Sequence, residues 1–296
     1  MRNVLDQNRT NFIGLRKGVL PSDRLSTAPV DNHRLLTYLS SMKIFYSEHQ
    51  IDYATYTFSY AVYCVKEQAD ELAAIYARGF LPYTGDLTLT EDHFYLARSL
   101  RIDLNRFATL SENRRVDRKI QPLTIEMSVI DRSDFDTSAP AFVQFCQAYA
   151  EERFAGGSMS AERLAYVLDR DLVTHVFRFA SAEQTYGYVL AVAKGGMLHY
   201  WFSFYDTEYM RSHSLGKWMM WRVIDWAQEQ ELNHVYIGTC YREKSLYKVR
   251  DHKGAEFFDG RQWNSDTDFL KELCRSDESP RPADMLKSEW KDRWLK

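Results

Sequence analysis

Two strand-like segments separated by a short turn, residues 186–193 and 198–205, are apolar on both faces, and the helical segment that follows them, residues 214–230, is apolar around most of its circumference. A strand without a polar side must be covered on both faces, so these segments belong in the middle of a sheet with helices on either side. Along residues 214–230, Leu215, Met219, Val223 and Trp226 make one stripe and Trp218, Trp221 and Ile224 a second, which predicts a largely buried helix. Residues 173–179 read as a further strand before this group and residues 234–240 as one after it. The order is therefore strand, strand, strand, loop, helix, strand, and its strand–helix–strand step predicts a parallel pair joined by a right-handed crossover.

The remaining chain is less constraining. Residues 1–40 are polar without sustained periodicity and predict an irregular lead-in. Residues 53–64 alternate and are rich in Tyr, Phe, Val and Thr, a strand pattern. The segment KEQADELAAIYARGF predicts a short helix closed by Gly79. A turn at residues 81–85 leads to a strand-like run over 93–104. From Pro122, PLTIEMSVI reads as a strand and SAPAFVQFCQAYAEERF as an amphipathic helix with Phe142, Phe145, Cys146 and Tyr149 on one face. Gly156 and Gly157 break the chain before a second helix at 160–170. The expected organisation is a smaller amino-terminal α/β half over 1–121, a mixed sheet flanked by helices over 122–265, and a peripheral tail over 266–296 containing Pro280 and Pro282.

Composition excludes several classes. The chain has 296 residues, 45% hydrophobic and 27% charged, as expected of a globular protein. It lacks both an amino-terminal apolar signal region and any run of about 18 apolar residues, so no secretion signal and no membrane span are expected. Cys64, Cys146, Cys240 and Cys274 are scattered, with no paired spacing and no histidine at zinc-ligand spacing. Reduced, metal-free cysteines in a cytoplasmic protein are expected. The net charge of −3 means that any polyanion must be held by a local basic patch.

Three stretches could carry chemistry. Residues 98–119 hold seven basic and three acidic residues around Arg114 and Arg115, either a solvated basic face or a grip for phosphate or carboxylate. Tyr205 and Asp206, followed by Ser214, Leu215 and Gly216, lie between a buried strand and a buried helix, where free backbone N–H groups and the helix dipole suit a phosphate or a carbonyl oxygen. Ser214 is equally an ordinary helix cap. Lys244, Tyr247 and Lys248 follow the 234–240 strand, with Arg242, Arg250 and Lys253 nearby. They form either a polyanion grip or solvated surface, and Tyr247 by itself reads as a core aromatic. No serine or cysteine nucleophile arrangement is present, and none is needed where the acyl donor is already activated.

These stretches together resemble the bacterial leucyl/arginyl-tRNA–protein transferases. Phe204-Tyr205-Asp206, Ser214-Leu215-Gly216, Val235-Tyr236-Ile237-Gly238 and Gly156-Gly157-Ser158-Met159 match motifs of that family in order. Lys244, Tyr247 and Lys248 fall on its K-M-x-Y-K element, and the stretch from Asp259 to Trp263 on its closing G-x-x-W. In the amino-terminal half, Gly79-Phe80 with Gly85, and Phe107, Arg114, Arg115 and Arg118, match as well. The resemblance spans roughly residues 50–265. It departs in one place: where the family carries a cysteine cluster, this chain has Phe94-Tyr95-Leu96-Ala97-Arg98, and Thr239-Cys240-Tyr241 replaces an aromatic Y-W-I.

The resemblance implies an acetyltransferase-like (GNAT) fold and transfer of leucine or arginine from aminoacyl-tRNA to the α-amine of a protein N-terminus, Asp or Glu in the family, without a cofactor. It implies Asp206 and Tyr247 as catalytic residues. Substrate contacts fall to Tyr205, to the Ser214–Gly216 backbone, to Lys244 and Lys248 on the acceptor stem, and to Arg114 and Arg115 on an acceptor carboxylate. A tRNA-dependent aminoacylation of a small molecule or peptide, a coenzyme A-dependent N-acetyltransferase and a non-catalytic binding derivative are the competing expectations.

Overall fold

The computed structural model describes residues 42–47, 62–153 and 159–279. The expected lead-in, most of the 53–64 strand, the Gly156–Gly157 break and the end of the tail lie outside them.

The chain order is β1 (Lys43–Tyr46), β2 (Val62–Val65), α1 (Leu72–Ala77), β3 (Phe80–Pro82), β4 (His93–Leu96), β5 (Ser99–Asp103), α2 (Ser111–Ile120), β6 (Glu126–Asp131), α3 (Pro140–Arg153), α4 (Ala161–Leu168), β7 (His175–Ala180), β8 (Thr185–Lys194), β9 (Met197–Tyr205), α5 (Glu208–Ser212), α6 (Leu215–Glu229), β10 (His234–Thr239), α7 (Tyr247–Arg250), β11 (Ala255–Phe258), β12 (Trp263–Asn264) and α8 (Thr267–Ser276). A four-stranded antiparallel sheet has the order β1-β2-β4-β3, and an eight-stranded sheet runs β12-β11-β5-β10-β9-β8-β7-β6. Within the large sheet only β9 and β10 are parallel, with α6 as their connection, as the buried helix predicts.

The doubly apolar β8 is covered on both faces. Val189 and Ala191 pack with α6 residues Met219 and Val223, whereas Leu190 packs with Phe142 of α3 and Leu164 of α4. Each of the larger of these side chains taken from water contributes about 1.5–3 kcal/mol. The small sheet closes on the large one through Tyr76, Phe80, Phe94, Tyr236 and Phe258. Gly79, with φ +83°, ends α1 in the left-handed region, and a Cβ there would meet the Phe258 ring at 2.4 Å.

Three expectations change. The run over 93–104 is two strands in different sheets, because the chain crosses from β4 to β5 at Ala97 and Arg98. Arg98 is buried there and pairs with Asp277 at 2.6 and 3.2 Å. The large sheet thus takes β5 from the amino-terminal side of residue 121. The start of the tail is not peripheral: Leu270, Cys274 and Asp277 are buried, and Cys274 Sγ lies 3.8 Å from Cys240 Sγ. Finally, the basic segment 98–119 contains a helix, α2, and its cations are largely engaged. Arg101 and Arg106 pair with Glu256, and Arg115 with Glu112.

Candidate functional site

The parallel pair β9/β10 is in register only at its beginning, with His234 opposite Met197, Val235 opposite Leu198 and Tyr236 opposite His199. Two irregularities part the strands beyond that point. In β9 the pairing with β8 jumps from Phe202 to Tyr200, so Trp201 is an extra residue of a bulge. In β10 the pairing with β5 slips between Tyr236 and Thr239, around Gly238 at φ +83°. The parted ends open a cleft of about 370 Å³. Its walls are His199 to Ser203 of β9, Ile237 to Thr239 of β10, Met220 of α6, Tyr247 and Lys248 of α7, Arg163 of α4, and Leu81, Pro82, Thr84 and Tyr95 beside the small sheet. No carboxylate lines it among the described residues; the charged side chains are Arg163 and Lys248.

Lys248 is fixed by the parting of the strands. Its Nζ donates to Ile237 O at 3.0 Å and Thr239 O at 3.1 Å, satisfying carbonyls near the slipped end of β10. Burial lowers its pKa from the ordinary lysine value. Tyr247 is half-buried and its phenol is pushed up to about 12, by burial first and then by Tyr205 and Asp251, so it is a neutral hydrogen-bonding group. Lys217 stands 5.7 Å from its ring centroid and pairs with Asp251 at 2.7 Å. His199 is buried, its Nδ1 lies 2.8 Å from the Tyr76 hydroxyl, and burial together with nearby Lys248 holds its pKa down at about 3. Arg163 donates from Nη2 to Thr84 Oγ1 at 2.9 Å.

Of the residues singled out in the sequence, the cleft gathers Tyr247 and Lys248. Lys244 is exposed in the turn before them. Asp206 sits at the end of β9, its Oδ1 accepting from Glu208 N at 3.0 Å to open α5, and it does not line the cleft. Ser214 precedes α6 in the left-handed region (φ 58°), and its side chain makes no capping bond. Leu215 is buried in the core. Gly216 lies under the Tyr205 ring, where a Cβ would stand 2.7 Å from Cζ. The start of α6 is thus packed on one side by Tyr205, while Ser214 and Gly216 remain partly exposed. Arg114 donates to Thr109 O, Arg115 holds Glu112, and neither lines the cleft. His199, Arg163 and Tyr95 belong to the cleft without any local sequence signal, because separate elements bring them together.

Among the described residues no group of His, Cys, Asp and Glu is arranged to hold a metal, and no helix is long and apolar enough to cross a membrane. The four cysteines are buried and free.

Among comparisons with known proteins, the match to a family model agrees with this architecture. Residues 111–249 match the Acetyltransferase (GNAT) domain family. The chain is 26% identical over 171 residues to an aspartate/glutamate leucyltransferase of Saccharophagus degradans, covering 55% of this chain and 69% of that protein. Among solved structures, the C-terminal domain of a putative lysylphosphatidylglycerol synthetase from Agrobacterium fabrum is 10% identical with a TM-score of 0.36, covering 60% of this chain and 54% of that one. FemX is 11% identical with a TM-score of 0.39, covering 62% and 64%. The chain thus spans about half to two thirds of those structures. The fold is GNAT-like, a mixed sheet flanked by helices.

Proposed function

We propose that this chain transfers an aminoacyl group from aminoacyl-tRNA to the α-amine of a protein or peptide N-terminus, and that the transferred residue is leucine rather than arginine. The observation that carries the proposal is the cleft between the parted strands, lined by aromatic and polar groups with two cations and no carboxylate. An arginyl side chain would bring a third positive charge there without a carboxylate partner, whereas a leucyl side chain brings no charge. An acceptor with an amino-terminal Asp or Glu would bring a carboxylate suited to Arg163. The likeness to an aspartate/glutamate leucyltransferase supports the same choice.

The ester of the donor is already activated, so positioning supplies most of the acceleration. An α-amine has a pKa near 8, so roughly a tenth is neutral at pH 7 and general base catalysis need recover only about 1.4 kcal/mol. In this reading Tyr247 and Lys248 face the substrates, and exposed Lys244 and Lys253 meet acceptor-stem phosphates. Tyr205, Asp206, Ser214, Leu215 and Gly216 hold the junction of β9 and α6 in place. Arg114 and Arg115 serve as outer contacts. In the same reading the protein works in the cytoplasm, where charged tRNA is available.

A second reading, acetyl transfer from coenzyme A, is favoured by the GNAT domain match. Incubation with radiolabelled aminoacyl-tRNAs and peptides of varied first residue, beside labelled acetyl-coenzyme A, separates the two. The expected product is leucyl peptide with Asp or Glu at the acceptor position. Acetyl peptide alone would replace the first reading by the second.

A further inference from the structure

The buried pair Tyr76 and His199 does more than fill the space between the two sheets. Tyr76 is fully buried, and among the described residues the hydrogen-bond partner of its hydroxyl is His199 Nδ1, at 2.8 Å. A neutral imidazole carries one proton, on either Nδ1 or Nε2. Were it on Nδ1, the imidazole would donate to the phenol oxygen and the phenol proton would have no acceptor, a burial penalty of about 1–3 kcal/mol. The phenol therefore donates, Nδ1 accepts, and the imidazole proton sits on Nε2. Since His199 lines the cleft, Nε2–H is the group it offers there. The adjacent ammonium of Lys248 adds positive potential to the same region and disfavours a second proton on the ring.

We propose that His199 is a catalytic residue, whose Nε2–H holds the carbonyl oxygen of the acyl ester as it becomes an oxyanion, and that Tyr76 is the positioning residue that keeps the proton on that nitrogen. The role rests on the acyl-transfer reading above. The amine nitrogen bonds to the ester carbon, and the carbonyl electron pair moves onto the oxygen held by His199. On collapse the bond to the ribose oxygen of the donor breaks. That oxygen takes the proton the amine gives up, leaving an amide and a tRNA with a free terminal hydroxyl. His199 donates a hydrogen bond throughout and neither gains nor loses a proton. A preorganised donor of this kind, out of bulk water, acts on the charge that develops in the transition state.

The test uses the full chain and two independent readouts. In steady-state transfer, His199→Leu is expected to lower kcat by about 10²- to 10³-fold with KM changed by less than about threefold. His199→Gln, which restores an N–H near the Nε2 position, recovers at least tenfold of the loss. Tyr76→Phe lowers kcat less than His199→Leu does. In ¹⁵N spectra of the imidazoles at pH 7, His199 shows the Nε2–H tautomer, and Tyr76→Phe shifts it toward a mixture; the fall in kcat at nearly constant KM is the change that a merely structural role would not produce. An Nδ1–H tautomer in the unaltered chain, or an unchanged kcat in His199→Leu, overturns the inference. A chain that uses acetyl-coenzyme A and no aminoacyl-tRNA overturns the tRNA reading alone, since the spectra and the loss of kcat are then read on the thioester.

Discussion

The Tyr205 ring lies directly against Gly216, so close that a Cβ on the glycine would stand 2.7 Å from Cζ and 2.8 Å from the hydroxyl oxygen. Tyr205 also packs on Tyr149 of α3, at 4.8 Å between ring centroids. The glycine therefore lets the end of β9 dock on the first turn of α6.

Gly216→Ala should lower stability, by about 1–3 kcal/mol from overpacking, partly offset by up to about 1 kcal/mol of helix propensity. Urea denaturation of Gly216→Ala, Tyr205→Ala and the double variant checks the cause. The double variant should be more stable than the sum of the two losses implies, and strict additivity would show that the ring is not the obstacle.

Lys244 and Lys248 should behave differently although they are four residues apart. Lys244→Ala should leave stability within about 0.5 kcal/mol and weaken tRNA binding, flattening its salt dependence by about one phosphate contact. Lys248→Ala abandons Ile237 O and Thr239 O and should cost about 1–3 kcal/mol. Thermal melts and binding at several salt concentrations decide it. Equal stability of the two variants would mean that Lys248 is not a latch.

The Arg98–Asp277 pair anchors α8 to the strand crossing, and both side chains are almost wholly buried. Removing one partner leaves the other charged and uncompensated, so Arg98→Ala or Asp277→Ala should cost about 3–5 kcal/mol. Arg98→Met with Asp277→Leu should cost less than either alone. A loss under about 1 kcal/mol for the single variants would rule out a closed, dry pair.

Acid should destabilise the fold before the carboxylates titrate. His252 is buried and its pKa is held down at about 4, by burial first and with Lys217 also lowering it against neighbouring Asp251. An unfolded histidine titrates near 6.5, so above that both states are neutral. As pH falls from there toward 4, the unfolded chain takes up protons that the folded chain refuses, and stability declines. His252→Gln should make that decline shallower by up to one proton. An unchanged slope of the urea midpoint against pH would remove His252 as the cause.

Buried thiols should resist modification. Cys64, Cys146, Cys240 and Cys274 are all inaccessible, and burial raises the pKa of Cys64 and Cys146. A thiol-reactive dye should label the native chain far more slowly than the urea-unfolded chain, where all four react.

What sequence periodicity reveals is burial of single elements, and here it was informative. The doubly apolar strands and the two-stripe helix placed β8, β9, α6 and β10 in order to within a residue or two. The break between β4 and β5 was hidden because Ala97 and Arg98 interrupt no hydrophobic pattern, and their role depends on Asp277 far along the chain. In the sequence, helix α2 looks like a charge cluster because its apolar residues, Val116 and Ile120, are few. At the site, Tyr247 and Lys248 were visible through their motif. His199, Tyr76 and Arg163 were not, since each belongs to a different element and looks like an ordinary core or surface residue by itself.

The placement of β5 between β10 and β11 sets a timetable for folding. As the chain is synthesised, β5 emerges early, yet its first neighbour in the sheet follows roughly 130 residues later, so its pairing closes a long loop. Until then its apolar residues, Leu100 and Ile102, have exposed backbone edges on both sides. Folding should therefore be slow, and nascent chains that end before residue 234 should need protection from aggregation even when the β6–β9 meander has already formed.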